Sequence, residues 1–128
     1  MTALGALLVG VFGMAGAVAR FAADNLFSRA ADSRTARMSW PWSTLLVNVA
    51  GSFIIGLAAS TAAQSSLAEP WSTAVAAGLA GGLTTFSSWT VATVRLWAER
   101  RPVAAVVNLA ANLALGLGAA AFGLLLLR

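Results

Sequence analysis

Four long stretches of this chain carry no Asp, Glu, Lys or Arg, and they decide what it can fold into. The charge-free stretches are residues 1–19, 38–68, 70–94 and 102–127. A helix needs about 20 apolar residues to cross the ~30 Å hydrocarbon core of a membrane. The sequence therefore predicts an all-α membrane protein of one domain, residues 1–128, with four transmembrane helices. The predicted spans are about residues 2–24, 43–63, 71–97 and 103–127.

Composition excludes several classes of function. Cysteine and histidine are both absent, and charged residues make up only 9% of the chain, against ~25% in soluble domains. Without Cys or His, the sequence offers no thiol chemistry and none of the usual zinc or iron ligand sets. No enzymatic activity is expected. The arginines form no continuous run, so a nucleic acid partner is not expected either.

The arginines are distributed unevenly between the two sides of the membrane that alternating spans would create. The connections 25–42 and 98–102 share one side and hold Arg29, Arg34, Arg37, Arg100 and Arg101. The opposite side holds only Arg128. Because Lys and Arg accumulate in cytoplasmic loops, the sequence predicts a multi-pass plasma-membrane protein with both connections in the cytoplasm.

Two spans contain polar residues repeated every four positions. These are Thr44, Asn48, Ser52 and Gly56 in the second span, and Asn108, Asn112 and Gly116 in the fourth. Such a stripe either joins neighbouring helices by hydrogen bonds of about 0.6–2 kcal/mol or lines a polar path. A path for cations or protons usually contains intramembrane Asp or Glu, and these spans contain none. The pattern favours an anion or a neutral solute.

The third span contains GGLTTFSSWT, residues 81–90, near its centre. Paired glycines lower helix propensity by about 1 kcal/mol each, and threonines compete for backbone hydrogen bonds. One interpretation is a helix broken near residues 81–85, which membranes tolerate only inside protein or beside a water-filled cavity. The other is a continuous helix that packs through Gly78 and Gly82. Periodicity alone does not separate the two.

The string GGLTTFSS, residues 81–88, resembles the central motif of the Fluc (CrcB) family of bacterial fluoride channels. GAVAR at 16–20, NVAGSFIIG at 48–56 and the paired asparagines of the fourth span agree with that family. The resemblance implies a passive fluoride-selective anion channel that exports fluoride and lowers its cytoplasmic concentration. The alternatives are a small four-span multidrug exporter, disfavoured by the lack of an intramembrane acid, and a non-conducting partner subunit of a fluoride channel.

The resemblance also implies an antiparallel dimer in the lipid bilayer, with a broken third helix and pores at the dimer interface. A structural Na⁺ at the dimer centre would be held by backbone carbonyls, here those of Gly81 and Thr84. The arginine bias predicts a single orientation of this chain. A homologous second chain of opposite orientation is therefore an alternative to a homodimer.

The same resemblance implies a set of residues along the fluoride path. They are Arg20, Asn48, Thr85, Phe86, Ser87, Trp89, Asn108 and Asn112. Trp89 stands where the family pattern has Phe, and Ala92 where many members have Glu. Aromatic ring edges carry partial positive charge, so an anion can contact them. For Arg20, contact with the anion and snorkelling to the membrane interface both remain open.

Overall fold

The computed structural model describes residues 2–30, 40–64 and 69–127, and within these ranges all regular structure is helical. The elements are α1 (Ala3–Ala30), α2 (Trp42–Gln64), α3 (Glu69–Thr73), a π-helical segment (Ala74–Ala80), α4 (Gly81–Leu83), α5 (Phe86–Ala98) and α6 (Pro102–Leu126). Four helical segments thus follow one another, as predicted, and the third is divided into shorter pieces. The connection 31–39 lies outside the described residues.

Three single helices of the described chain are long and apolar enough to cross a membrane: Ala3–Arg29, Trp42–Ala63 and Pro102–Leu126. At 1.5 Å per residue, these helices of 27, 22 and 25 residues are roughly 33–41 Å long. Many large apolar side chains on these helices face outward, Leu7, Val18 and Leu117 among them. Outward-facing apolar surface of this extent suits lipid rather than water. Helix α1 continues to Ala30, past the predicted end of the first span at residue 24.

The third segment is interrupted at Thr84 and Thr85. Thr84 has φ −74° and ψ 157°, and Thr85 has φ −149° and ψ 117°, so two extended residues separate α4 from α5. The predicted interruption is confirmed, and a helix continuous through this stretch is excluded. Gly81 is itself helical, at φ −63° and ψ −40°, so the bend occurs at the threonines rather than at the glycines.

The glycines around the break serve close packing instead of the bend. A Cβ added to Gly82 would collide with the carbonyl oxygen of Gly13 on α1, and one added to Gly78 would lie 2.7 Å from the Val9 oxygen. The backbones of α1 and of the third segment therefore touch directly, as small residues allow in membranes. The structure contains the predicted packing contact through Gly78 and Gly82, although the helix that carries it ends at Leu83.

Helices α2 and α6 form the most extensive helix pair, and their contact is also built on small residues. A Cβ on Gly56 would collide with the Ala120 carbonyl oxygen, and one on Gly123 with the Phe53 carbonyl oxygen. The rings of Phe53 and Phe122 stack at 5.9 Å between centroids. Helix α5 packs on α6, and α1 packs on the π-helical segment and α4. Both α4 and α5 also contact α2, so the break between them lies close to α1 and to α2.

Candidate functional site

Asn48 on α2 completes the backbone hydrogen bonding of the break. Its side-chain Oδ1 accepts from the Thr85 backbone N–H at 2.8 Å, and its Nδ2 donates to the Thr85 carbonyl at 3.2 Å. One side-chain amide thus pairs with both polar groups of one residue. Because an unpaired buried backbone group costs about 1–3 kcal/mol, this pairing explains how two extended residues persist inside a helical segment.

Arg20 reaches the other residue of the break from α1. Its Nη1 donates to the Thr84 carbonyl oxygen at 3.2 Å, and the side chain is half-buried. The sequence left two roles open, contact with an anion or snorkelling to the membrane interface. The structure shows a role that neither interpretation included: Arg20 donates a charge-assisted hydrogen bond to the break itself. Such bonds are stronger than neutral ones.

Thr85 caps the helix that follows the break. Its Oγ1 accepts from the Ser88 backbone N–H at 3.1 Å, and it donates to the Ser88 Oγ at 3.1 Å. The Ser87 Oγ lies 3.3 Å away. Threonine is a favoured N-cap because its oxygen satisfies an amide of the first helical turn. The hydroxyl-rich TTFSS stretch is therefore a helix start placed in the middle of an apolar segment.

The three asparagines of the polar stripes form one hydrogen-bonded chain. The Asn48 Nδ2 donates to the Asn112 Oδ1 at 3.0 Å. The Asn112 Nδ2 donates to the Asn108 carbonyl at 3.0 Å and to the Asn108 Oδ1 at 3.2 Å. The Asn108 Nδ2 donates to the Thr93 Oγ1 on α5 at 2.9 Å. The bonds from Asn48 to Asn112 and from Asn108 to Thr93 connect different helices, so these amides join helices.

Two aromatic residues extend from the break along α5. The Trp89 Nε1 donates to the Asn108 carbonyl at 3.2 Å, which fixes the indole against α6. The rings of Phe86 and Trp89 meet edge to face, 5.6 Å between centroids and 83° between planes. Phe86 is 72% exposed. A large ring this exposed at the break has room to meet a solute or a second chain.

A groove of about 350 Å³ opens beside the break, between α2, α5 and α6. Its lining residues are Asn48, Ser52, Ile55, Thr84, Thr85, Phe86, Trp89, Asn112, Leu113, Gly116, Leu117 and Ala120. Polar residues lie near the break and along α2, and apolar side chains form much of the rest. None of the lining residues is ionisable.

The structure brings together five of the eight residues predicted for the fluoride path. Asn48, Thr85, Phe86, Trp89 and Asn112 all line the groove. The other three do not line it. Asn108 is fully buried behind Asn112, Ser87 is exposed at the start of α5, and Arg20 contacts the Thr84 carbonyl from α1.

Sequence reasoning did not select Ser52, Leu113 or Leu117 as site residues. Ser52 lies one helical turn beyond Asn48, and Leu113 follows Asn112 directly. Residues four apart on a helix share a face, so the stripe already placed Ser52 beside Asn48. Nothing in the sequence indicates which leucines of an apolar helix border a groove.

The carbonyls of Gly81 and Thr84 differ in their availability to a cation. In a continuous helix the Gly81 carbonyl would accept from the Thr85 amide, which here donates to Asn48. The Thr84 carbonyl accepts from the Arg20 guanidinium, although a carbonyl oxygen has two lone pairs. The chain thus offers one carbonyl freed by the break and one shared with a positive charge.

The fold and the groove define a small helical membrane protein whose third segment is broken at a polar, uncharged site. The sequence matches the family described as "CrcB-like protein, Camphor Resistance (CrcB)" over residues 7–124, and the chain belongs to that family. The resemblance seen at residues 81–88 is confirmed.

Relatives named as fluoride channels match nearly the whole chain. It is 48% identical over 119 residues to the "Fluoride-specific ion channel FluC" of Renibacterium salmoninarum, covering 92% of this chain and 94% of that one. It is 37% identical over 124 residues to "Fluoride-specific ion channel FluC 1" of Leifsonia xyli subsp. xyli, with 97% and 87% covered. The "Fluoride-specific ion channel FluC 2" of Mycobacterium tuberculosis is 37% identical over 131 residues, with 96% and 95% covered.

Proposed function

We propose that this protein is a passive fluoride-selective channel that lets fluoride leave the cell. Support comes from its family and from full-length relatives named as fluoride-specific ion channels. The same membership identifies a channel rather than an enzyme. It also counts against the multidrug-exporter alternative, whose mechanism depends on a membrane carboxylate: no acid lines the groove, and the one acid of α1, Asp24, is exposed.

The observation that carries the proposal is the groove beside the break. It combines the exposed ring of Phe86 with the polar residues Asn48, Ser52 and Thr85, and it contains no carboxylate. Ring edges are positively polarised, hydroxyl groups can donate to an anion, and an acidic side chain would repel one. The helix dipole places further partial positive charge at the start of α5, next to Phe86.

The groove is completed, in our proposal, by a second chain in an antiparallel dimer. The Phe86 ring is largely exposed in the single chain, and the groove that it lines is open rather than enclosed. The partner is a second copy or a homologous chain of opposite orientation. At the centre of this dimer, carbonyls of Gly81 and Thr84 from both chains would hold a structural Na⁺. That cation would make the centre of the dimer more favourable for an anion.

Fluoride efflux from liposomes tests the proposal. The purified protein is reconstituted into fluoride-loaded vesicles, potassium permeability is supplied by an ionophore, and a fluoride electrode records release. We expect rapid release of fluoride and no comparable release of chloride. Release no faster than from protein-free vesicles would contradict a channel formed by this chain alone. Recovery of release on addition of an oppositely oriented homologue would then identify a heteromeric channel.

A further inference from the structure

Ser52 lies where an anion in the groove would meet α2. It is near the middle of this 23-residue helix, one turn beyond Asn48, and it lines the groove. Gly116 on α6 faces it, and a Cβ at position 116 would lie 3.3 Å from the Ser52 Oγ. Glycine at 116 therefore leaves space around the hydroxyl that any larger residue would reduce.

The Ser52 hydroxyl has no hydrogen-bond partner among the described residues. Hydroxyl side chains in helices commonly return a bond to the carbonyl three or four residues earlier. Thr61 donates to the Ala58 carbonyl at 2.9 Å, and Thr93 donates to the Trp89 carbonyl at 2.8 Å. Ser52 makes no such bond and is only half-buried, so its donor is available to a ligand in the groove.

The neighbouring amide donors are already used. The Asn48 Nδ2 donates to Thr85 and Asn112, and the Asn112 Nδ2 donates to the carbonyl and the side-chain oxygen of Asn108. The Trp89 indole N–H donates to the Asn108 carbonyl. An anion that needs a strong donor in this groove would have to break one of these bonds or find a hydroxyl.

We propose that the Ser52 hydroxyl donates a hydrogen bond to the permeating anion, while Asn48 and Asn112 hold the break and the helices in position. This inference rests on the proposed fluoride path through the groove. The ring edge of Phe86 on α5 supplies partial positive charge, and the hydroxyl of Ser52 on α2 supplies a hydrogen-bond donor. Glycine at 116 keeps space beside the Ser52 hydroxyl for this ligand.

The test compares Ser52→Ala and Ser52→Thr with Ser60→Ala in the fluoride-efflux assay. Ser60 is a matched control, because its hydroxyl on the same helix also lacks a partner but is buried and lies outside the groove. Ser52→Ala should lower the rate at least about tenfold, the effect of losing one hydrogen bond to a charged group. Ser52→Thr, which keeps the hydroxyl, should restore much of the rate, and Ser60→Ala should leave it unchanged.

Melting temperature and elution volume in detergent show whether each variant folds and assembles. A normal fold with lost flux in Ser52→Ala, recovered in Ser52→Thr, supports the inference. Flux in Ser52→Ala equal to that of the unmodified protein overturns it and leaves the fluoride channel standing. Absence of fluoride flux from the unmodified protein, both alone and together with an oppositely oriented homologue, would overturn the proposed function and this inference with it.

Discussion

Asn48 shows how one side chain can stabilise an irregular backbone at membrane depth. It accepts from the Thr85 amide, donates to the Thr85 carbonyl and donates to Asn112. Lipid offers no hydrogen bonds, so backbone groups freed by a break must be satisfied within the protein. The asparagine performs that task from a neighbouring helix. Asn48 therefore stabilises the break, and it also lines the groove.

Replacing Asn48 by Leu should destabilise the protein and stop fluoride flux. The change roughly keeps side-chain size but leaves the Thr85 N–H without its partner, at about 1–3 kcal/mol for an unsatisfied buried group, and removes one of the two bonds to the Thr85 carbonyl. Thermal unfolding in detergent and fluoride efflux measure the two effects. Asn25→Leu is the control, because the exposed Asn25 amide bonds only within its own helix, to the Phe21 carbonyl. Unchanged stability and flux in Asn48→Leu would show that the break does not depend on this amide.

Replacing Trp89 by Phe should cost little stability and leave fluoride flux in place. The substitution removes the bond from the indole Nε1 to the Asn108 carbonyl, a neutral bond of about 1 kcal/mol, and keeps an aromatic ring beside Phe86. Unfolding and efflux assays on the same preparation measure both quantities. Loss of flux with normal folding would mean that the indole N–H itself is part of the path.

At the scale of the elements, the third segment combines two kinds of local chemistry. Gly78 and Gly82 bring its first half into backbone contact with α1, and Thr85 caps the second half as a new helix. The GGLTTFSS motif therefore encodes a close contact, an interruption and a helix start in eight residues. Each function requires its own residue type, since a larger residue at Gly82 would collide with α1 and an apolar residue at 85 would leave the Ser88 amide uncapped.

Gly16→Ala should destabilise the contact between α1 and the third segment. The new Cβ would collide with the Leu79 carbonyl and would lie 2.8 Å from the Leu83 amide nitrogen. These are backbone atoms that cannot rotate away, and overpacking of this kind costs about 1–3 kcal/mol. Gly10→Ala, on the same helix, has nothing within 4 Å of its Cβ and should be neutral or stabilising. Equal melting temperatures for the two variants would contradict the packing described here.

The helical segments and the break could be predicted from the sequence because both follow from local patterns. Long charge-free stretches mark the spans, and paired glycines beside threonines mark a weak point in a helix. The role of the glycines stayed open between weakening the helix and packing on a neighbour, because the neighbour that requires them, α1, is distant in sequence. The stripe of asparagines was open between helix contact and polar path for the same reason. Only the fold shows that Asn108 is buried while Asn48 and Ser52 border the groove.

At the scale of the whole molecule, the question is how one chain with a biased charge distribution would assemble with the proposed antiparallel partner. Most of its arginines fall in the connections 25–42 and 98–102, which the positive-inside rule assigns to the cytoplasm. Part of the first connection, including Arg34 and Arg37, lies outside the described residues. A chain that inserts in one orientation needs an oppositely oriented homologue to build the proposed dimer.

Single cysteines at Ser33 and Ser66 test this orientation, since the chain has no cysteine of its own. Both serines lie outside the described residues, in connections predicted for opposite sides of the membrane. An impermeant thiol reagent applied to intact cells should label Ser66→Cys and not Ser33→Cys. Partial labelling of both sites from outside would instead establish dual topology and favour a homodimer.

The most direct test of the central claim, a fluoride path along the groove at the break, is the efflux rate of Phe86→Leu compared with Phe122→Leu. Both rings are exposed, but Phe86 lines the groove and Phe122 stacks on Phe53 away from it. Leucine keeps an apolar side chain and removes the positively polarised ring edge. We predict that Phe86→Leu loses most of its fluoride flux while Phe122→Leu retains it. Flux retained in Phe86→Leu would contradict a path through this groove.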